Sequence, residues 1–543
     1  MIANHFKFLN LLDEINKKIN EFKKLIIIIF FSLIFVIGII SVKDFGSTND
    51  EYNQRLNGFI TLNYLGEKFL PEITKKYKGD KEFPKFDGVP KSLRYYGGTV
   101  LHTPLAFLEV VLGIKDKKNI FLFKHYVFFL IFFLSLISFF DITKNRFSNW
   151  KYGILSVLIL FLSPRIFANS FYNNLDVPFM SFIIFSFNYG IKILDEFNYK
   201  NLIFFSFFSA VAFDIRIIGI IIPFFVCAIF LIKASKEKKF KLFFFKVSAI
   251  TVLTFLLVIL FWPFLWENPI KNLLNVFFNL SNHPLYSYNF YLGSLVLFTE
   301  VPWHFTIVWI LITTPIIYSF FLFIGFFKFF RDNFKLKKHK YFYHDLIIIL
   351  SIIIPIISAI FFNSTLYNGW RHMYFLYPFL VIFMISGVNY LIDKLDKTKI
   401  YYFFQFIIII SLIDVGYWMY KNHPHQYVFF NKLIRNNASK NFELDYIAAS
   451  YKENLDFLIL NEKKEKYYIY NSSETKLWYP LFSLLDQDRL KFEEVEKQKA
   501  EYWITNYYLD KHSYDYDFQK KYILLNEVIV DGNKVNSLFK LRN

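Results

Sequence analysis

Long apolar runs separated by short polar segments dominate the first 420 residues of the chain. The runs are about 20 residues long, which suits the thickness of a bilayer, and their middles are mainly Phe, Ile and Leu. They predict eleven membrane-spanning helices, give or take two. The predicted spans are 25–42, 120–140, 152–167, 176–193, 202–214, 216–232, 243–263, 303–327, 346–362, 372–391 and 400–420. The first run lacks a small-residue cleavage site and is interpreted as an uncleaved anchor.

Lysine and arginine residues in the short loops predict how these helices are oriented. If the N-terminus is cytoplasmic, the five inner loops carry 19 basic residues and the four short outer loops carry one each. This asymmetry agrees with the rule that basic loops stay in the cytoplasm. It predicts a cytoplasmic segment 1–24, a long first outer loop 43–119 and an outer C-terminal segment 421–543.

The composition changes after residue 420. Short β-rich runs appear, KYYIY and EYWITNYY, followed by a predicted hairpin that turns at Asp531-Gly532. These signals predict a small α/β domain on the outer face, over residues 421–543. The predicted fold is therefore an α-helical polytopic membrane protein with a transmembrane domain over 25–420, an amphipathic first outer loop and a small C-terminal α/β domain.

Composition and charge narrow the class of protein. Of the 543 residues, 55% are hydrophobic and 22% aromatic, and the apolar residues come in blocks, which excludes an ordinary soluble domain. The single Cys227 lies in an apolar run, so neither an intramolecular disulfide nor a cysteine-based zinc site can form. The net charge of +18 would suggest nucleic acid in a soluble chain, but here the basic residues belong to membrane loops. The predicted partner is a lipid bilayer and not nucleic acid.

Scarce polar and charged residues collect at the predicted outer ends of the helices. Such groups cost a few kcal/mol each at the hydrocarbon boundary unless they are paired or face a wet cavity. A transporter would keep ionisable groups near mid-span, so this pattern predicts a fixed, outward-facing reaction chamber. The residues concerned are Asp50, Glu51, Arg165, Asn173, Asp176, Asp214, Arg216, Trp266, Glu267, Asn268, His304, Trp370, Arg371 and His372.

Group transfer from a lipid-anchored donor is the chemistry that suits such a chamber. Transfer of a sugar from a polyprenyl phosphate needs a carboxylate to take the proton of the acceptor, and cations to hold a phosphate that gains negative charge. Asp50 and Glu51 are adjacent acids directly after a membrane anchor. Arg165, Arg216 and Arg371 are isolated arginines at the same predicted level, suited to phosphate.

Structural roles remain open for the same residues. The Asp50-Glu51 pair also fits the first turn of a helix, where negative charge is favourable. Ion pairs between Arg165 and Asp176 and between Asp214 and Arg216 are alternatives to phosphate binding. His304 and His372 also fit hydrogen-bonded interface positions, Trp370 fits an interfacial aromatic belt, and His304 with Glu267 is a weak candidate for a metal site.

Several of these segments, in order and on one predicted side, resemble the GT-C superfamily of membrane glycosyltransferases. The likeness is to bacterial relatives of the dolichyl-phosphate-mannose protein O-mannosyltransferases and of the aminoarabinose transferase that modifies lipid A. It covers about residues 40–450. The segments are the Asp50-Glu51 pair, SPRIFANSFYNNLDVPF, WPFLWENP, VPWHFTIVWILITTP, NGWRHMYFLYP, and HPHQYVFFN followed by FELDY.

This resemblance implies roles for individual residues. Asp50 would be the base that activates the acceptor, Glu51 would position donor or acceptor, and Asp176 would be a second acid near the sugar. Arg371, His372 and Arg165, with Arg216, would contact the donor phosphate. The substrate cavity would also include Asn173, Trp266, Glu267, His304 and Trp370. The tail predicted over 421–543 is modest compared with the large ligand-binding module of the eukaryotic protein mannosyltransferases, which speaks against a protein as the acceptor.

The sequence thus predicts an inverting, single-displacement glycosyltransferase of the bacterial inner membrane, with its active site and C-terminal domain in the periplasm. Its partners would be a polyprenyl-phosphate sugar donor and an acceptor that is a protein, lipopolysaccharide or another lipid. No cofactor is required by the sequence, and dependence on a divalent metal stays open. Two alternatives are a transporter or flippase of lipid-linked sugars, and a non-catalytic membrane assembly factor whose outer tail is the working part.

Overall fold

The computed structural model describes residues 20–72, 98–281, 286–334, 340–395 and 399–542. The predicted cytoplasmic segment up to residue 19 and the middle of the predicted first outer loop lie outside the described residues. The first ten helices are α1 Lys23–Ser41, α2 Asn49–Phe69, α3 His102–Val111, α4 Lys117–Arg146, α5 Trp150–Phe161, α6 Pro164–Tyr172, α7 Asp176–Asp195, α8 Tyr199–Ile215, α9 Ile221–Glu237 and α10 Phe240–Phe261. They are followed by α11 Pro269–Ser281, α12 Phe305–Thr313, α13 Ile316–Phe334, α14 Phe342–Phe361, α15 Tyr377–Leu395, α16 Lys399–Lys421, α17 Ala438–Asn441, α18 Tyr451–Asn461, α19 Asp486–Arg489 and α20 Tyr516–Lys521.

Within the described residues, eight helical segments are long and apolar enough to cross a membrane. They contain α1, α4, α7, α9, α10, α14, α15 and α16, and each coincides with a predicted span. The remaining three predicted spans are also helical, but α8 has only 17 residues and the other two are each broken into two helices. The chain is thus a multi-pass membrane protein, and the predicted helical polytopic fold is confirmed.

Prolines lie at both broken spans. The predicted span 152–167 is α5 followed by α6, which bends away by 70° and begins at Pro164. The predicted span 303–327 is α12 followed by α13, with Pro315 between them. Proline disfavours helical backbone in the residue before it and is tolerated in the first turn of a helix, so each run divides there. The bend turns α6 out of line with the spans and gives it a fully buried position.

The centre of the bundle is formed by α7 and α15. Their spans are the most buried of the eight, at 72% and 78% of the apolar window, whereas α16 is 6% buried. Close approach of helices depends on small residues, because a side chain at Gly325 of α13 would meet the backbone oxygen of Phe383 in α15. A 3₁₀ segment, Arg371–Leu376, precedes α15 and begins with a buried arginine.

The tail after α16 contains the predicted α/β domain. Its five-stranded sheet comprises β3 Tyr467–Asn471, β4 Phe492–Glu494, β5 Tyr502–Thr505, β6 Tyr522–Val530 and β7 Asn533–Leu541 in the order β4-β3-β5-β7-β6. The strand β3 runs parallel to both its neighbours, and β6 and β7 form the predicted hairpin. Its turn residues Asp531 and Gly532 both have positive φ, as a two-residue hairpin turn requires. A separate hairpin, β1 Tyr288–Tyr291 and β2 Ser294–Leu297, precedes α12.

The tail packs directly on the segment that joins α1 to α2. The backbone N–H of Ser47 donates to Ser483 Oγ at 2.7 Å, and Ser47 Oγ donates to the carbonyl of Tyr479 at the same distance. The ring of Tyr52 stacks on that of Phe482 at 5.3 Å between centroids. The sheet domain therefore supports the first turn of α2.

Candidate active site

The start of α2 is fixed by a reciprocal capping arrangement. Glu51 Oε2 accepts the backbone N–H of Thr48 at 2.7 Å, and the side chain of Thr48 caps the backbone of residue 51 in return. The other carboxylate oxygen, Glu51 Oε1, is 2.7 Å from His125 Nε2 of α4, and both side chains are fully buried. This holds the first turn rigidly and leaves the neighbouring Asp50, which is 43% exposed, free to face the site.

The start of α7 is fixed by Asn173. Its side-chain oxygen accepts the backbone N–H of Asp176 at 2.7 Å, and its side-chain nitrogen donates to Asp176 Oδ2 at 2.9 Å. The same nitrogen donates to Asn169 Oδ1 in the bent helix α6. The carboxylate of Asp176, which is 3% exposed, is thereby held at the N-terminal end of α7.

Arg371 joins the two acids. Its Nη1 forms a hydrogen-bonded ion pair with Asp50, and its Nε lies 3.9 Å from Asp176 Oδ2. Arg216, which follows α8, forms an ion pair with the other oxygen of Asp176. The four side chains form a continuous chain of alternating charge, Asp50–Arg371–Asp176–Arg216, which we call the acid-arginine chain.

The turn before Arg371 depends on a left-handed backbone. Asn368 and Gly369 have φ of 58° and 67°, a conformation that glycine adopts without strain. The N–H of Gly369 donates to Glu443 Oε1 at 2.8 Å, which fixes the turn against the tail. Arg371 consequently enters the core at the first residue of its 3₁₀ segment.

Arg165 is a further buried cation. It lies in α6, is 2% exposed, and donates from Nε to the carbonyl of Phe429 at 3.0 Å. The guanidinium lies over the rings of Trp309 and Phe430, and its two terminal nitrogens are buried without a hydrogen-bond partner among the described residues. Burying unsatisfied donors of a charged group is costly, so these nitrogens are suited to an anionic ligand.

His372 lies on the ring of Tyr367, with 4.4 Å between the centroids. Its Nδ1 is also buried without a partner among the described residues, and so is Nε of Arg371 apart from its contact with Asp176. The guanidinium of Arg371 lies over the ring of Tyr367, 5.2 Å from its centroid. A ligand that supplies acceptor oxygens would satisfy both nitrogens.

Glu443 is a site residue that sequence reasoning missed. It is 4% exposed, and its Oε2 has no hydrogen-bond partner within the described parts of the chain. Burial raises the pKa of Glu443 to about 7, against the opposing effect of the Gly369 N–H and of the charges on Arg165 and Arg371. The signal was present in the FELDY segment, but no pattern indicated that this part of the tail returns to the core.

Several predicted site residues have other partners. Both oxygens of Glu51, the predicted positioning acid, are hydrogen-bonded to Thr48 and His125, as the first-turn alternative also allows, and its role toward donor or acceptor stays a prediction. Neither suggested ion pair forms: Asp176 pairs with Arg216, while Asp214 accepts the N–H of Val100 at 3.0 Å.

The remaining candidates have hydrogen-bond partners outside the acid-arginine chain or are exposed. Trp266 donates to the carbonyl of Ile259, and Trp370 donates to Thr313 Oγ1. His304 Nδ1 is 2.7 Å from the hydroxyl of Tyr291, and Glu267 is exposed. Among the described residues, no three His, Cys, Asp or Glu side chains are grouped as metal ligands.

Comparison with known families tests the predicted resemblance. Residues 115–262 match the sequence model of the dolichyl-phosphate-mannose-protein mannosyltransferase family. The resemblance to this family is confirmed. The matched segment contains α4 to α10 and carries Arg165, Asn173, Asp176 and Arg216. Asp50 and Arg371, which contact this segment through Asp176 and Asn174, lie outside it.

Solved structures similar to the chain include two of ArnT from Cupriavidus metallidurans. The apo structure is 10% identical, with a TM-score of 0.47 over 95% of this chain and 98% of that one. The structure bound to undecaprenyl phosphate is also 10% identical, with a TM-score of 0.43 over 94% of this chain and 97% of that one. No curated protein matches the chain.

Proposed function

We propose that the chain is an integral membrane glycosyltransferase that moves a sugar from a polyprenyl-phosphate donor to an acceptor hydroxyl on the periplasmic face. The observation that carries the proposal is the acid-arginine chain, in which Arg371 links Asp50 and Asp176. The match of residues 115–262 to the mannosyltransferase family supports the reaction class. Undecaprenyl phosphate, which one similar ArnT structure contains, exemplifies the lipid that would leave.

The proposed step is a single displacement with inversion. The acceptor oxygen attacks C1 of the sugar while its proton passes to a carboxylate of Asp50. The bond between C1 and the phosphate oxygen breaks, and the electron pair leaves with the polyprenyl monophosphate. The phosphate charge rises from −1 to about −2, so arginines positioned in advance stabilise the transition state more than the ground state.

Asp50 is proposed as the base because it alone of the two adjacent acids has an exposed carboxylate. In such a displacement the base and the leaving phosphate lie on opposite sides of C1. Arg371 therefore cannot contact the Asp50 carboxylate and the phosphate at the same time during the reaction. We infer that donor binding separates Arg371 from Asp50. The phosphate takes over the guanidinium, which leaves the Asp50 carboxylate free to accept the proton of the acceptor.

The proposed phosphate position lies between Arg371 and Arg165. Both terminal nitrogens of Arg165 lack partners among the described residues, and Arg371 Nε and His372 Nδ1 are similarly available. A protonated Glu443 would donate a hydrogen bond to a phosphate oxygen, whereas its carboxylate would repel it. Asp176 and Asn173 keep Arg216 and Arg371 in place without touching the reacting atoms.

An apolar groove provides a path for the lipid tail. It has a volume of about 620 Å³ and runs between α13 and α16, with Phe320, Phe404 and Val415 in its walls. One end reaches Phe430, whose ring lies under the Arg165 guanidinium. A prenyl chain in this groove would bring its phosphate toward Arg165 from within the bilayer.

The test is transfer by the purified chain in liposomes that contain a panel of undecaprenyl-phosphate sugars. Release of undecaprenyl phosphate and labelling of an acceptor hydroxyl should both depend on Asp50. The Glu67→Gln variant, which changes an exposed carboxylate on the same helix α2, is the matched control. Release by Asp50→Asn at the rate of this control would overturn the assignment of the base. Failure of every polyprenyl-linked sugar to react, with an intact fold, would overturn the donor class.

A further inference from the structure

A second polar cavity lies at the other end of the bundle from the acid-arginine chain. Asp176 begins α7 and Asp195 ends it, so the two sites are separated by the length of a helix of 20 residues, or about 30 Å. The cavity has a volume of about 1000 Å³ and is lined by residues of α1, α4, α5, α7 and α14, and of the segment before α14. The mechanism proposed above uses none of these residues.

Basic side chains dominate the lining. Seven lysine and arginine residues face the cavity, against a single acid, Asp195, which is 3.1 Å from His344. Lys24 and Lys192 form no ion pair with any residue that the structure describes. Two of the basic residues are paired with acids beyond the lining, Lys144 with Asp141 and Arg146 with Asp345.

The preference for basic loops on one side of a membrane does not explain this arrangement. That preference is satisfied by lysines spread over the surface, as they are in the exposed loop around Lys236 and Lys241. Gathering several cations around one concave space raises their mutual repulsion, because the low-dielectric walls weaken screening by solvent. An anion in the cavity removes that penalty and gains several contacts at once.

The walls indicate that the anion belongs to a lipid. The same cavity is lined by Ile27, Phe140 and Ile348 and by the ring of Trp150. Trp150 donates from Nε1 to Asn20 Oδ1 at 2.9 Å, with its polar edge toward the α1 end, as is usual at a membrane interface. Apolar walls would contact glycerol and the first methylenes of a lipid, whereas a free phosphate would gain nothing from them.

We propose that this cavity binds the phosphate headgroup of an anionic phospholipid, at the end of the bundle opposite Asp50. Pockets between membrane helices that are lined by such basic side chains typically bind anionic lipid headgroups. A bound lipid would join α1, α4, α7 and α14 at that end. The proposal is independent of the glycosyltransferase reaction, since neither the cavity nor its test involves a sugar donor.

The test uses the full chain in nanodiscs of neutral phosphatidylcholine, to which phosphatidylglycerol is added in steps. Native mass spectrometry counts the phosphatidylglycerol molecules retained, and thermal unfolding in phosphatidylcholine alone checks each fold. Lys24→Gln/Lys192→Gln is compared with the control Lys236→Gln/Lys241→Gln, which removes the same charge at exposed positions outside the cavity. A third protein, Lys24→Arg/Lys192→Arg, keeps the charge. A separate arm replaces the lipid by inorganic phosphate.

The wild type, the control Lys236→Gln/Lys241→Gln and the arginine variant should retain phosphatidylglycerol. The Gln double variant of the cavity, Lys24→Gln/Lys192→Gln, should bind it roughly tenfold more weakly. Inorganic phosphate should neither bind nor displace the lipid. Equal retention by the Gln double variant and its control would overturn the proposal, as would a wild type that retains no phosphatidylglycerol. Binding of inorganic phosphate without retention of the lipid would overturn the assignment to a phospholipid.

Discussion

The guanidinium of Arg371 donates to the carboxylate of Asp50, a residue 321 positions earlier in the chain. The contact joins the beginning of α2 to the beginning of the last buried span, and Asp176 approaches the same guanidinium from α7. Three separate helix beginnings therefore meet at one cation.

Asp50→Asn is expected to lower turnover at least about a hundredfold, in keeping with the loss of a general base. The substitution keeps the shape of the side chain and leaves the capping of α2 by Thr48 and Glu51 intact. Because the ion pair with Arg371 is lost, the midpoint of thermal unfolding should fall, but the chain should still fold. Single-turnover transfer with a saturating polyprenyl-linked donor measures the effect, and near-normal transfer would remove Asp50 from the chemistry.

Glu51→Gln is expected to act on stability instead. The amide keeps an oxygen acceptor but loses the charge at the helix start and changes the contact with buried His125, which together cost about 1–3 kcal/mol. The midpoint of thermal unfolding should be lower than in the wild type. Turnover per folded molecule should stay within a few-fold of the wild type. A large loss of turnover at unchanged stability would instead support the predicted role of Glu51 in positioning the donor or acceptor.

Arg371→Lys separates charge from geometry at the centre of the acid-arginine chain. Lysine keeps the positive charge but cannot contact two acids, or a phosphate, with a planar fork. The apparent KM for the donor should rise about tenfold or more, with a smaller change for the acceptor. Steady-state kinetics with each substrate varied in turn makes the comparison. An unchanged donor KM would exclude Arg371 from the phosphate position.

Glu443 should make stability depend on pH. Because burial raises its pKa to about 7 in the folded chain, the folded state holds a proton there that the unfolded state has already released. The protonated Glu443 makes its full contribution to the free energy of unfolding below the unfolded pKa of 4.5. That contribution, roughly 3 kcal/mol in total, is lost as the pH rises through about 7.

The measurement is the midpoint of thermal unfolding between pH 4.5 and 8 for the wild type and for Glu443→Gln. The midpoint of Glu443→Gln should change less with pH than that of the wild type. Glu465→Gln, which changes an exposed carboxylate of the same domain, serves as the control and should follow the wild type. Parallel curves for the wild type and Glu443→Gln would contradict the buried, protonated state of this residue.

The sequence predicted the helices well because long apolar runs leave few alternatives in a bilayer. It also placed Asp50, Asp176 and Arg371 at one level, since all three lie at predicted outer helix ends. It could not predict that Arg216 pairs with Asp176 and not with Asp214, because that choice depends on how α8 is rotated against α7. A period of 3.6 residues becomes hard to read when nearly every face of a helix is apolar.

Glu443 was missed for a different reason. It lies 74 positions after Gly369, in a tail whose strands predicted a separate outer domain, and only the tertiary structure brings it back to the turn before Arg371. The capping role of Glu51 was readable as a local pattern, whereas the His125 contact that completes it was not. Local signals thus found the acids, and long-range packing assigned their partners.

The hydrogen bonds between Ser47 and the tail residues Ser483 and Tyr479 bear on how variants of this chain can be built. A truncation at residue 421 would remove the tail residues that support the turn before Asp50. Loss of activity in that truncation would therefore not distinguish a direct role of the tail from damage to the acid-arginine chain. A chimaera that exchanges the tail for that of another protein has to bring its own residues 44–52 along, or the incoming surface will meet a loop shaped for a different neighbour.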